Sequence, residues 1–382
     1  MHFVLVGPSA PLRGGIAIDN DARAQALRQA GHIVEQISFS RLYPALLFPG
    51  RSQYDVTAGA VFPRAQPCID SINPLSWWQT ASTIARSQPH LITLQWWHPF
   101  FAPCYAIILT RLKRVCPMVP RVLISHNTRP HEPLVGQDAA LRLVARQCNA
   151  VIVHSRSEHD LMTTVAPDAA VHIVEYPLLH TACALPERDE AQRRLGVSGR
   201  VLLFFGYIRP YKGVDLLLRA LAQVPADLGI TLLIAGEFYE PIEIYRELMQ
   251  TLGITERVRI IDHYIAEPEW ADLFAATDAL VLPYRAASQS MSITLAYNFG
   301  KPVIVSRVGG LAEAVEDGRT GLIAEPEPTA LAAAIQQFYI EFLASPYQFS
   351  IEARRQRLGW EPFIHLLESW AVTVVQQNRG AV

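Results

Sequence analysis

The feature that most constrains this chain is an alternation, made twice over, of short apolar runs and longer amphipathic stretches. In the first half the runs are 2–7, 33–39, 91–96, 121–126, 150–155 and 172–177, with helical periodicity at 16–30, 99–114, 138–147 and 158–165. In the second half they are 200–206, 231–236, 258–264, 279–284 and 302–306, with helical periodicity at 213–222, 241–252, 268–276, 290–299 and 329–343. Most runs are continuous Val/Ile/Leu, the pattern of parallel strands covered on both faces. Strand, helix and strand in that order predict right-handed βαβ units in doubly wound sheets.

The expected fold is therefore α/β, with two Rossmann-like parallel-sheet domains, and a length of 382 residues suits two domains of ordinary size. The stretch 178–199, rich in Ala, Pro and Arg/Glu, has no strand pattern and predicts the junction. We assign 1–182 to a first domain and 183–359 to a second, and expect the amphipathic tail 360–377 to pack back onto the first. Open parallel sheets bind ligands beyond the carboxyl ends of their strands, so the loops there are expected to line a cleft between facing domains.

Composition narrows the functional classes. Half the residues are hydrophobic and 18% are charged, which excludes a disordered chain. A net charge of −2 offers no global basic field, so no nucleic-acid partner is expected. Residues 1–185 carry 15 Lys/Arg against 11 Asp/Glu, and the remainder 18 against 24. The mild positive bias of the first half suits a membrane surface or an anionic acceptor, and it equally suits chance. Five cysteines without CxxC spacing fit a reducing cytosol. The N-terminal Met-His-Phe-Val-Leu-Val-Gly reads as a strand rather than a signal peptide, and the apolar run Trp96–Leu112 is broken by His98, two prolines and Arg111. The expected location is cytoplasmic, with peripheral contact at the inner face of a membrane left open.

The chemistry-bearing residues follow strands. Gly206-Tyr207-Ile208-Arg209-Pro210-Tyr211-Lys212-Gly213 joins a strand to a helix. Free N–H groups and the dipole at such a helix start attract phosphate, and Arg209 and Lys212 add a bidentate and a point charge. An exposed loop with two surface cations is the plainer alternative. Gly14 and Gly15 sit in the first strand-to-helix turn and permit close backbone approach, although the turn lacks the GxGxxG dinucleotide pattern. His126 opens the loop Ser125-His126-Asn127-Thr128-Arg129-Pro130-His131-Glu132 after a strand, where an imidazole can bond a sugar hydroxyl or a transferring group. Gly309 and Gly310 make a second candidate phosphate cradle, whereas Asp317-Gly318-Arg319-Thr320-Gly321 reads as a turn. Trp77-Trp78 and Trp96-Trp97 with Phe100-Phe101 read first as core, and otherwise as an apolar acceptor groove. Asp19-Asn20-Asp21 reads as solvated helix surface, and no ligand-spaced cluster predicts a metal.

Together these elements resemble the retaining group 1 glycosyltransferases of GT-B fold. The marks are Phe204-Phe205-Gly206…Arg209…Lys212-Gly213-Val214-Asp215, Leu233-Ile234-Ala235-Gly236-Glu237, Ala276-Thr277-Asp278-Ala279-Leu280-Val281-Leu282-Pro283-Tyr284, Gly300-Lys301-Pro302-Val303-Ile304-Val305, and Val308-Gly309-Gly310-Leu311…Glu313…Asp317-Gly318…Gly321. The resemblance implies a nucleotide-diphosphate sugar as donor, with Arg209 and Lys212 on its diphosphate and Tyr264 and Ile265 near its base. It implies Gly15 and His126 at the donor-phosphate loop and at a sugar, and retention of configuration with neither cofactor nor metal. The acceptor is left as a saccharide or lipid-linked intermediate of polysaccharide biosynthesis. One departure stands out: the family's Glu-x7-Glu pair aligns to Ala287 and Leu295, so both carboxylates are missing. Ser288, Gln289 and Ser290, opening the next helix, are the expected substitutes. The missing pair also motivates two alternatives, a non-catalytic nucleotide- or sugar-binding partner of another transferase and a nucleotide-sugar epimerase.

Overall fold

The computed structural model describes residues 1–48, 50–55, 65–130, 132–179, 184–342 and 347–379. His131, Cys183 and the expected junction at 182/183 lie outside them. Two compact units are present, Met1–Glu175 with Trp360–Val382, and Tyr176–Gly359.

The first unit holds β1 (His2–Val6), β2 (Ile33–Arg41), β3 (Gln66–Asp70), β4 (Leu91–Trp96), β5 (Arg121–Ser125), β6 (Ala150–Val153) and β7 (Val171–Ile173). They form a parallel sheet in the order β3-β2-β1-β4-β5-β6-β7. Side chains alternate across it, as a strand period of two requires. Val4 and Val6 join one apolar cluster with Ile37, Leu94 and Trp96, while Phe3 and Leu5 join another with Leu27, Val122 and Ile124. The second cluster is completed by Trp360, Phe363, Ile364, Leu367 and Ala371, from or beside the C-terminal helix Glu361–Arg379. That helix thus covers one face of the sheet formed at the other end of the chain.

The second unit holds β8 (Arg200–Phe205), β9 (Ile230–Ala235), β10 (Val258–Ile261), β11 (Ala279–Leu282), β12 (Val303–Ser306) and β13 (Gly321–Ala324), parallel in the order β10-β9-β8-β11-β12-β13. In each sheet the order reverses once, between β1 and β4 and between β8 and β11. Such switch points are where open parallel sheets leave a crevice for ligands.

The structure adds elements that the pattern did not predict. β3 and β13 are edge strands, where a proline such as Pro67 is tolerated because only one side of the strand is paired, and where four residues suffice for β13. Helix Pro74–Arg86 carries its own start signals, with proline in the first turn and the Asn73 side chain accepting from the Leu75 amide. Helix Arg188–Leu195 is almost wholly polar and shows little apolar stripe. One reading is corrected outright. Asp19, Asn20 and Asp21 are buried, not solvated, because Asn20 and Asp21 bond the loop after β1 while Asp19 pairs with the buried Arg23. Of the aromatics, Trp77, Trp96, Trp97 and Phe101 are core, whereas Trp78 stays half exposed with the Arg111 guanidinium 3.7 Å from its ring centre.

Candidate functional site

In the second unit the chain leaves β8 through Gly206 at φ 118° and reaches Gly213 at φ 68° before helix Val214–Gln223 begins. Gly213 has no room for a side chain: an added Cβ would lie 2.1 Å from the Pro283 carbonyl oxygen. The loops after β8 and β11 therefore touch backbone to backbone at the switch point. Arg285 clasps them, donating to the Pro210 carbonyl at 2.8 Å and gripping Asp215 with nitrogens at 2.8 and 2.6 Å, while its own amide donates to Tyr211 at 2.7 Å. Gly236, at the end of β9, is equally tight, its added Cβ falling 2.0 Å from the Gly206 oxygen.

Arg209 precedes and Lys212 closes a short turn, Pro210–Lys212, in this clasped segment. The Arg209 guanidinium sits 4.8 Å from the centre of the Tyr239 ring, and the Lys212 ammonium 5.3 Å from that of Tyr284. A Cβ on Gly206 would be 3.1 Å from the Lys212 nitrogen. Burial, and then the neighbouring Arg209 charge, push the Lys212 ammonium down to about 7. Tyr207 lies 4.9 Å from Tyr239 and 6.0 Å from Tyr264, so one row of rings connects Tyr264 to the Arg209 stack. Ile265 is buried, its carbonyl accepting from the Trp270 indole at 3.4 Å.

Ser290 precedes helix Met291–Asn298 without a side-chain cap bond, and the hydroxyls of Ser290 and Ser292 lie beside the buried Tyr284 phenol. Tyr284 thus brings Lys212 and Ser290 to one place. Burial raises that phenol. Ser288 is buried and Gln289 half-buried, while Leu295 is core on the same helix and offers no polar atom. Gly309, at φ 41°, and Gly310 open the five-residue helix Gly309–Glu313 beyond β12, the neighbour of β11. Arg285 and Tyr239 escaped the sequence reading, because no local spacing marks residues whose partners, Asp215 and Arg209, lie on other elements 70 and 30 positions away.

In the first unit, Gly14 at φ 107° caps the helix that Gly15 begins. The preceding loop is held from that helix. Asn20 Nδ2 donates to the Pro8 carbonyl at 3.1 Å and to Ser9 Oγ at 2.9 Å, and Asp21 accepts from the Ala10 amide at 2.9 Å. His126, one residue beyond β5, is buried, with its amide donating to the Trp96 carbonyl at 2.8 Å. Its Nε2 lies 2.6 Å from Gln95 Oε1 and 3.7 Å from Asp19 Oδ2. Asp19 is paired with Arg23 at 2.5 Å, and Arg23 reaches His154 at 3.2 Å. Burial, then the Arg23 charge, push His126 down to about 3, so it is neutral near pH 7. Among the described residues no group of three His, Cys, Asp or Glu side chains is placed to hold a metal ion, and no helix is long and apolar enough to cross a membrane.

Residues 199–340 match the family of glycosyl transferases described as group 1. The D-inositol 3-phosphate glycosyltransferase of Rhodococcus opacus is 30% identical over 254 residues, which span 63% of this chain and 55% of that protein. The chain spans about half the length of the curated relatives it matches. Among solved structures, sucrose-phosphate synthase from Thermosynechococcus elongatus superposes with a TM-score of 0.70 at 18% identity, covering 100% of this chain and 98% of that one. HepE of Anabaena, solved in complex with UDP-glucose, superposes with a TM-score of 0.70 at 15% identity, covering 98% and 99%. At such identities the likeness speaks to the fold, which is GT-B: two parallel-sheet α/β domains.

Proposed function

We propose that this chain, whose residues 199–340 form a group 1 glycosyl transferase domain, moves a sugar from a nucleoside-diphosphate sugar to an acceptor hydroxyl, retaining anomeric configuration and using no metal ion. The observation that carries the reading is the placement of Arg209 and Lys212 at the switch point of the second sheet, in a segment clasped by Arg285 and Asp215. In the transfer, the bond from the anomeric carbon to the diphosphate oxygen breaks, and the diphosphate leaves with the electron pair. The acceptor oxygen bonds to that carbon and gives up its proton to the leaving oxygen. Two fixed cations stabilise the charge that grows on the diphosphate, so removing either is expected to slow turnover by roughly 10²–10³-fold.

Arg209 and Lys212 supply charge of the kind that a divalent cation brings elsewhere, so turnover is expected to survive a chelator. The Tyr207–Tyr239–Tyr264 row offers stacking surface for the base. Ser288, Gln289 and Ser290, with Gly309 and Gly310, take the donor's sugar and phosphates. In the first unit, Gly14 and Gly15 are assigned to the donor-phosphate loop and His126 to a sugar.

UDP-glucose is the first donor to offer, because a structural neighbour was solved with it. The test is thermal stabilisation by UDP, GDP, ADP and dTDP and by their sugar conjugates. A ligand at about 100 times its Kd adds roughly 2.7 kcal/mol. Stabilisation by one nucleotide, lost in Arg209→Ala and Lys212→Ala, supports the reading, and undiminished stabilisation in both variants overturns it. Proton NMR of the product then reads the anomeric outcome.

The absent carboxylates at Ala287 and Leu295 favour one competing reading, a binding partner without turnover. Donor binding with no release of nucleoside diphosphate would distinguish it. A lipid-linked acceptor and peripheral membrane contact fit the first unit's surface. Helices Pro74–Arg86 and Ala102–Val115 expose Leu75, Trp78 and Ile107 beside Arg111, Lys113 and Arg114, and contain no acidic residue. Co-sedimentation with anionic vesicles, weakened in Trp78→Ala, is the check.

A further inference from the structure

Four buried or backbone polar groups of the first unit form a chain whose polarity is forced from one end. The Pro8 carbonyl can only accept, so the Asn20 atom 3.1 Å from it is the amide nitrogen. Asn20 therefore turns its oxygen toward Gln95, whose Nε2 donates to it at 3.0 Å. That leaves Gln95 only its oxygen for His126, and Oε1 stands 2.6 Å from Nε2. An acceptor there requires the imidazole proton on Nε2. We propose that Asn20 and Gln95 are positioning residues, which carry the polarity of the Pro8 carbonyl to His126, hold it as the Nε2–H tautomer and so make Nδ1 a hydrogen-bond acceptor.

Packing reinforces the relay. Asn20 and Gln95 have no solvent exposure, so neither amide can turn over without burying an unmatched pair of like groups. Gly7 leaves room for both amides: an added Cβ would lie 2.5 Å from Gln95 Cγ and 3.4 Å from Asn20 Nδ2. The charged and titratable groups facing His126 are consistent with a neutral ring. Asp19 is engaged by Arg23 at 2.5 Å. His154, with ring centroid 5.9 Å away, gives its Nδ1 proton to the Val174 carbonyl at 2.8 Å, so its Nε2 accepts from Arg23.

The functional consequence rests on the sugar-transfer reading, whereas the tautomer does not. A neutral imidazole that accepts at Nδ1 selects a ligand hydroxyl able to donate. It neither protonates a leaving group nor pairs with a phosphate as a cation. His126 thereby contributes to specificity for a free hydroxyl.

The experiment is long-range ¹H–¹⁵N NMR on the full chain labelled with ¹⁵N-histidine, the His126 signals being assigned by their loss in His126→Asn. The expected wild-type result is one protonated nitrogen, Nε2, and one lone-pair nitrogen, Nδ1, unchanged from pH 6 to 8. Gln95→Glu places a carboxylate against Nε2 and is expected to bring both nitrogens to the protonated form at neutral pH. A proton on Nδ1, or an imidazolium, in the wild type at pH 7 overturns the relay. UDP and UDP-glucose are then added as probes. A shift of Nδ1 with UDP-glucose and not with UDP supports hydroxyl recognition, and binding of UDP-glucose without that shift overturns it. Failure of both to bind, with the Nε2–H tautomer in place, counts against UDP-glucose as the donor in the sugar-transfer reading and leaves the relay standing.

Discussion

Arg285 and Asp215 meet in a two-pronged ion pair, with guanidinium nitrogens 2.8 and 2.6 Å from the carboxylate oxygens, although 70 positions separate them. The pair ties the loop after β11 to the first turn of the helix after β8, with Arg209 and Lys212 between. Both side chains are more than a third exposed, so water screens the attraction and the stability at stake is at most about 1 kcal/mol. Arg285→Ala is therefore expected to shift the unfolding midpoint only slightly while weakening nucleotide binding at least tenfold. Calorimetric titration beside thermal unfolding separates the two, and a large loss of stability with unchanged affinity would show the clasp to be structural only. Burial opposes ionisation of Asp215, but Arg285 and the helix-start amides hold its carboxyl below the ordinary value. Its contribution is present above the unfolded value of about 3.9 and is lost only as pH falls through the lower folded one, so no change is expected at neutral pH.

Lys212 should make nucleotide binding pH-dependent near neutrality. Its ammonium is pushed down to about 7 by burial and by Arg209, and a bound diphosphate would raise it again. Binding then takes up a proton, and affinity falls as pH rises from 7 toward the bound value, by up to about tenfold per unit. Titration calorimetry in buffers of different ionisation enthalpy counts that proton. Uptake that persists unchanged in Lys212→Met would assign it elsewhere.

Gly213→Ala should fail on two counts, because the backbone there is left-handed and the new methyl would strike the Pro283 carbonyl. Backbone strain alone costs of order 1–3 kcal/mol, and the clash adds to it. Urea unfolding is expected to show a loss of at least about 2 kcal/mol. A stable variant that still bound nucleotide would mean that the two loops can part.

Phe363→Ala tests the covering of the first sheet. The ring is fully buried and lies 4.5 Å from the Arg23 guanidinium, itself buried. The expected loss is about 3–5 kcal/mol, since truncation leaves a cavity and strips a desolvated cation of its aromatic face. Equilibrium urea unfolding measures it, and a loss below about 1 kcal/mol would show that the helix adds little.

The fold was legible because central parallel strands are written as unbroken apolar runs: Val-Leu-Leu-Phe-Phe and Leu-Leu-Ile-Ala need no context. The edge strand β3 was not, since Gln-Pro-Cys-Ile-Asp is half polar and is made a strand by one neighbour. The same divide runs through the site. Arg209 and Lys212 stand in a recognisable strand-to-helix turn, so local spacing draws attention to them. Arg285, Gln95 and Tyr239 act through partners that only the tertiary arrangement supplies. Asp19, Asn20 and Asp21 misled the sequence reading for the opposite reason: three polar residues in a row suggest water, unless other polar groups are waiting to receive them.

The return of Trp360 and Phe363 to the sheet begun by Phe3 also sets a schedule for synthesis. The strands of the first unit leave the ribosome with one apolar face covered only in part, by Ala24, Ala26 and Leu27, and the rest of its cover is encoded beyond the whole of Tyr176–Gly359. At ordinary elongation rates that wait is roughly ten to forty seconds. Throughout it, Phe3, Leu5, Val122 and Ile124 offer chaperones a binding surface, and a truncated transcript ending before Trp360 would leave that surface uncovered for good.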